Sequence, residues 1–212
     1  MNKLNLNLFD SILAGLAIGI AGLIYLSIYP WSNTLAALCF SIGLIIVIVE
    51  EYHLFTGKIA YIEKYKHLSF ITCLIGNICG VGIMGLMAFK HPMANILVES
   101  KLSTSLIEIF FKAIGCGFLM YVATHGKTFP EKILRAIICV FAFIMAEFEH
   151  SIANTFYFIA AGRLGEIRSI LVLLISVVGN TIGAILGNYK GLISLFKNKR
   201  EDNDGNSIDK IG

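Results

Sequence analysis

Glu147, Glu149 and His150 interrupt an otherwise apolar stretch that runs from Ala136 to Gly162. A second interruption, Glu50-Glu51-Tyr52-His53, closes the apolar run Asn33–Val49 and leads through Leu54-Phe55-Thr56-Gly57-Lys58 into a short segment, Ile59–Tyr65. Ionisable side chains inside long apolar runs are costly in hydrocarbon and mark ion or substrate paths by default. An imidazole both donates and accepts hydrogen bonds and titrates near pH 6.5 (about, when unperturbed), so His150 could hold an anion or exchange a proton with it. The bland alternative is a satisfied structural histidine. Glu108 and Lys112 stand four apart in another apolar run and read as a pair that neutralises both charges. Catalysis is not indicated. Ser151 adjoins His150, but neighbouring helix positions do not face each other. No nucleophile–base pair, metal-ligand cluster or cofactor fingerprint is present, so no cofactor is expected. The cysteines (Cys39, Cys73, Cys79, Cys116 and Cys139) are odd in number, lack a CxxC pair and lie in apolar runs, as small buried hydrophobes do.

The elements that must position these residues are membrane helices. Hydrophobic residues make up 57% of the 212-residue chain and charged residues 15%, against about a quarter charged in soluble domains. Runs near the required length of about 20 residues are Ser11–Tyr29, Asn33–Val49, Leu68–Phe89, Leu102–Thr124, Ala136–Gly162 and Ser169–Tyr189. Residues 1–197 form one transmembrane pore domain, and the polar tail 198–212 is expected to be disordered. With the N-terminus inside, eleven lysines and arginines fall on inner segments and four on outer ones (Lys90, Lys101, Arg163 and Arg168). Both termini are therefore expected in the cytoplasm, with the chain in the inner or plasma membrane of a bacterium. The basic residues form no groove, and no nucleic-acid partner is expected. The partner surface is the lipid bilayer.

A repeat is visible. Gly76-Asn77-Ile78-Cys79-Gly80 and Gly179-Asn180-Thr181-Ile182-Gly183 both read GNxxG, at the same place in each three-span half. Three spans per half require the halves to insert in opposite senses, and the middle span of each half is the broken one. Paired broken helices in inverted repeats point to a substrate path, with half-helix N-termini facing an anion.

Phe148-Glu149-His150-Ser151-Ile152-Ala153-Asn154 resembles the FEHSIAN signature of the formate/nitrite transporter family. Leu54-Phe55-Thr56-Gly57 is similar to that family's LFTG segment, and Ser11–Tyr25 to its glycine-rich first helix. Lys101-Leu102-Ser103, sixteen residues before Gly117, matches the spacing of its lysine motif. The resemblance spans Leu8 to Gly187. It implies an all-α, aquaporin-like fold of six transmembrane helices in two inverted three-helix repeats, the second and fifth helices broken, assembled as a homopentamer with one pore per protomer. It implies passage of small monovalent anions: formate, nitrite, hydrosulfide or short carboxylates. It places the pore histidine on His150, the facing threonine on Thr56, the vestibule lysine on Lys101 and the signature asparagine on Asn154. The family's apolar constrictions map to Phe40, Leu44, Leu54, Phe55, Met120 and Phe143. Two apolar rings would stop an anion but pass the neutral acid, and a histidine between them could supply or take the proton.

Bland readings stand beside these. Thr56 could cap a half-helix, Lys101 could snorkel to the interface, and Glu149 could tie the broken backbone. His53, His67, His91 and His125 lie near predicted ends and are expected to be solvated. The chain also departs from the family: Gly117 stands where asparagine is common, His53 where a glutamate often precedes LFTG, and Lys58 where asparagine often follows. The N-terminal helix is reduced to about ten residues, and Thr124-His125-Gly126 breaks the usual end of the fourth span. A neutral-solute facilitator remains the alternative, although paired NPA-like motifs are absent.

Overall fold

The computed structural model describes residues 3–194. The tail from 198 on lies outside the described residues. Helix dominates: α1 Leu8–Ile28, α2 Asn33–Val49, α3 Phe55–Lys58 continued by a 3₁₀ turn Ile59–Tyr61, α4 His67–Met87, α5 Pro92–Ser103, α6 Leu106–Thr124, α7 Phe129–Met145, α8 Ser151–Ala160 and α9 Ile167–Gly187. An isolated bridge between Leu4 and Tyr65 ties the N-terminal segment to the chain after the 3₁₀ turn. Among the described residues α1, α4, α6 and α9 are each long and apolar enough to cross a bilayer, and α2 is shorter.

Local sequence explains the starts. Asn7 Oδ1 accepts the Asp10 N–H at 2.8 Å, and Ser32 and Ser105 cap α2 and α6 in the same way, each satisfying a helix-end donor that hydrocarbon could not. Pro92 and Pro130 occupy the first turns of α5 and α7, where a missing N–H costs nothing. The two broken helices stop alike. Glu51 and Glu147 both turn left-handed, with φ of 56° and 54°. At the second break the Phe148 N–H reaches back to the Phe143 carbonyl at 2.8 Å and the Glu147 N–H to that of Ile144 at 3.0 Å. That is a Schellman exit with glutamate in glycine's usual place.

Packing has a two-fold pattern. α1 lies along α4 and α6 along α9, while α2 meets α7 at the centre. The short helices cross over: α3 and its 3₁₀ turn sit against α6 and α9, and α8 sits against α4 and α1. Glycines allow the close crossings. A Cβ on Gly80 would run into the Ile12 carbonyl, and one on Gly183 into that of Ile114. Gly15 and Gly117 lie equivalently against the backbones of Asn77 and Asn180. An asparagine at 117 could not enter without spreading α6 from α9.

Two expectations are corrected. The fourth apolar run begins at Leu106, not Leu102, because Lys101-Leu102-Ser103 end a separate helix, α5. The fifth begins at Phe129, not Ala136, since α7 opens with the charged turn Glu131-Lys132-Ile133-Leu134-Arg135. The other four runs agree within about three residues.

α5 is held from outside by charge. Arg163, between α8 and α9, pairs with Glu99 of α5 and, through Nη2 at 2.9 Å, with Glu166. Arg168 Nη2 donates to the Thr104 carbonyl at 2.6 Å, capping the C-terminal end of α5. Arg163 beside it holds the Glu166 carboxyl below its usual range. A depressed carboxylate stabilises the fold fully above its ordinary value of about 4.3 and ceases to do so as pH falls through its lower folded value. Acidification into that window is therefore expected to speed amide hydrogen exchange in the turn between α8 and α9, where Arg163 and Glu166 pair, before α1 or α4 responds.

Candidate functional site

The two breaks meet at the centre of the bundle. His150 is the N-cap of α8, its Nδ1 accepting the Ala153 N–H at 3.2 Å. A nitrogen that accepts carries no hydrogen, so the neutral ring has its proton on Nε2. Nε2 lies 2.9 Å from Thr56 Oγ1, 94 residues away in sequence. The hydrogen-bond network thus makes the imidazole the donor and leaves the threonine's own hydroxyl hydrogen available. Both residues are buried, Thr56 completely. Phe143 stacks on the imidazole with centroids 5.8 Å apart and meets Phe40 edge-on at 6.2 Å. The pair expected from the resemblance is brought into contact.

Asn77 and Asn180 set this geometry. Asn180 Oδ1 accepts the Ser151 N–H at 2.8 Å, while its Nδ2 donates to the carbonyls of Glu149 at 2.8 Å and Ala113 at 2.9 Å. Asn77 repeats the arrangement on the Phe55 N–H at 2.7 Å and the carbonyls of His53 at 2.8 Å and Ser11 at 2.7 Å. Each amide of the GNxxG repeat therefore fastens one broken helix at its restart. Sequence reasoning noticed the repeat but assigned its asparagines no role. The available signal was a polar side chain held between two glycines in each half, opposite a segment with unpaired backbone.

One cavity is lined by His150 itself, and a second is lined by Leu54 and Gly57 on either side of Thr56. The first is lined by Phe40, Phe143, His150, Lys101, Glu149 and Asn154, with Tyr25, Tyr157 and Lys112 in its wall. Lys101 Nζ donates to Glu149 Oε2 at 2.7 Å, and Asn154 Nδ2 donates to the same oxygen at 2.7 Å. Lys112 lies 2.9 Å from Glu108, the expected pair, and also 3.6 Å from Glu147. The second cavity is lined by His53, Leu54, Lys58, Tyr61, His125 and Lys132, among others. His53 is half-buried there, accepting the Asn7 N–H at 3.2 Å and lying 4.0 Å from Asp10. The expectation that it is solvated does not hold. His125 bonds the Tyr61 hydroxyl at 3.1 Å but stays exposed.

Leu44, Leu54 and Met120 are each about fully buried in one core cluster with Phe40 and Phe143. Phe55 is not with them. It packs in a second cluster against Phe70, Cys73 and Ala184, because successive side chains on a helix point about 100° apart and Thr56 takes the central face.

Glu149 is 3% exposed, so stripping its partner would leave a buried charge alone. Lys101→Met is expected to destabilise the protein by about 3 kcal/mol, and Lys101→Met with Glu149→Gln by clearly less. Unfolding midpoints of both variants would measure the coupling.

A bundle of apolar helices with two opposed vestibules, parted by a buried histidine–threonine pair and apolar side chains, defines a helical membrane protein of channel type. The model of the formate/nitrite transporter family matches residues 2–191, and the chain belongs to that family. It is 23% identical over 212 residues to a probable formate transporter of Methanothermobacter thermautotrophicus, across 82% of this chain and 73% of the relative. It is 27% identical over 174 residues to the formate channel FocB of Escherichia coli (strain K12), across 68% of this chain and 62% of that one. Among solved structures, a pentameric formate channel with formate bound superposes with a TM-score of 0.72 at 23% identity, covering 89% of this chain and 96% of that chain.

Proposed function

We propose that the protein is a channel for small monovalent anions of weak acids (formate, nitrite, hydrosulfide or short carboxylates) and that passage is linked to protonation at the His150–Thr56 pair. The observation that carries this reading is the 2.9 Å contact between those two side chains, His150 lining one cavity and Thr56 sitting between Leu54 and Gly57, which line the other. An anion bare of water meets a cost of several kcal/mol in an apolar constriction. The Thr56 hydroxyl hydrogen, freed by the donation from His150, offers it one hydrogen bond. A proton taken up from water in the vestibule while the Thr56 hydroxyl holds the anion would convert it to the neutral acid, which apolar side chains admit. Leu44, Leu54, Met120, Phe40 and Phe143 are proposed as those constrictions.

Six membrane crossings in two inverted repeats, termini on the cytoplasmic side of a cell membrane, and a homopentamer like the one named for the solved channel complete the proposal. The cross-over packing of α3 and α8 supports the repeat. Uptake of labelled formate, nitrite, hydrosulfide, lactate and acetate into proteoliposomes tests the function. Saturable or conductive flux of one of them is the expected result. Passage of water or urea in place of every anion would favour the neutral-solute facilitator.

A further inference from the structure

We propose that the Lys58 vestibule contains a second binding site for a small monovalent carboxylate or nitrite anion, centred on Lys58 and Lys132 and separate from the His150–Thr56 pair. The choice of ligand rests on the small-anion reading above; the site rests on charge and geometry alone.

The two vestibules differ electrically. The lining of the Lys101 vestibule holds two lysines and two glutamates, and both lysines are engaged by carboxylates, Lys101 at 2.7 Å and Lys112 at 2.9 Å. The lining of the other holds Lys58, Lys64 and Lys132 against Glu51 alone. Among the described residues neither Lys58 nor Lys132 has a carboxylate within ion-pair distance. Asp10, on the neighbouring helix α1, is engaged by the Asn7 amide at 2.5 Å and lies 4.0 Å from His53. The walls are recessed protein, and a one-sign charge excess in a recess of low-dielectric walls concentrates counter-ions.

The internal repeat shows why the excess is built in. Asn180 holds the Glu149 carbonyl and Asn77 holds the His53 carbonyl, so His53 stands where Glu149 stands in the other half. By the same register Lys58 stands where Asn154 does. In one half the two positions satisfy each other, Asn154 Nδ2 to Glu149 Oε2 at 2.7 Å. In the other, the His53 acceptor Nδ1 is taken by the Asn7 N–H, so its remaining N–H cannot accept from the Lys58 ammonium. Lys58 and Lys132 both line the cavity, and an incoming carboxylate supplies what Glu149 supplies in the opposite half. Binding involves charge-assisted hydrogen bonds from two ammonium groups to the anion's oxygens.

The full-length protein in nanodiscs, probed with sodium formate by saturation-transfer difference NMR at low salt, tests this. Wild type and His150→Asn are both expected to give a formate signal. Lys58→Asn with Lys132→Gln is expected to lower it about threefold or more, and Lys58→Arg with Lys132→Arg to restore it. Size-exclusion profiles of each variant establish that it is folded. A signal unchanged in the Asn/Gln variant overturns the site. A signal lost in His150→Asn but kept in the lysine variants also overturns it, placing all binding at the centre while leaving the channel reading intact. Failure of the channel reading itself is read separately, from absent flux in proteoliposomes.

Discussion

Replacing His150 by asparagine is expected to abolish the pH dependence of formate uptake while leaving the fold intact. The two roles of the side chain are separable. As N-cap, its Nδ1 satisfies the Ala153 N–H, and asparagine caps helices at least as well, so stability should shift by less than about 1 kcal/mol. As partner of Thr56, its Nε2–H orients a hydroxyl at the boundary between the two vestibules. Asparagine removes the titratable group from that boundary. Flux should fall about tenfold or more, the scale of a lost proton donor or acceptor. His150→Phe removes the cap as well and should cost both flux and stability. Proteoliposome uptake beside thermal unfolding separates the outcomes. Wild-type flux with a wild-type pH profile in His150→Asn would reduce the residue to a helix cap.

Much of this arrangement is legible in the chain because hydrocarbon is a strict solvent. Apolar runs near span length have one solution, so the ends of α1, α2, α4 and α9 follow from hydropathy within about three residues. Where apolar character and membrane depth part company, the reading slips. α5 carries Asn95, Glu99 and Lys101 among its apolar residues, so hydropathy alone does not mark it as a helix, although Pro92 in its first turn signals a start. The charged first turns of α7 hid that start likewise. The site follows the same division. The breaks announce themselves through Glu50, Glu51, Glu147 and Glu149 in apolar surroundings. The contact of His150 with Thr56 joins two halves, and no local pattern encodes it; only the resemblance led there. The Lys101–Glu149 pair depends on α5 folding back over α8, which no spacing in the chain reveals. Phe55 shows the limit of mapping by motif. Its neighbour Thr56 takes the central face, and the ring is left to pack against α4.

Asn180→Leu is expected to give, together with its counterpart Asn77→Leu, the largest loss of stability of the single substitutions considered. Leucine keeps the asparagine's branching and heavy-atom count in a somewhat bulkier side chain, so no cavity opens and hydrogen bonding is the main loss. Three backbone groups lose their partner: the Ser151 N–H and the carbonyls of Glu149 and Ala113. Asn180 is completely buried, and at bilayer depth water cannot replace it. Each buried group left unpaired costs about 1–3 kcal/mol, so the sum is on the order of 3 kcal/mol or more even with partial relaxation. Asn77→Leu removes the equivalent bonds from Phe55, His53 and Ser11 and should cost about the same. The functional consequence is common to both. Asn180 fastens the restart that carries His150, and Asn77 the restart that carries Thr56. Releasing either end should break their 2.9 Å contact and abolish the pH-dependent flux. Thermal unfolding in detergent measures the first effect and proteoliposome uptake the second. A melting temperature unchanged in both variants would mean that the freed backbone groups find other partners by local shifts. In that case the paired asparagines would serve helix packing alone, and the position of His150 would depend on Phe143 and the Ala153 cap.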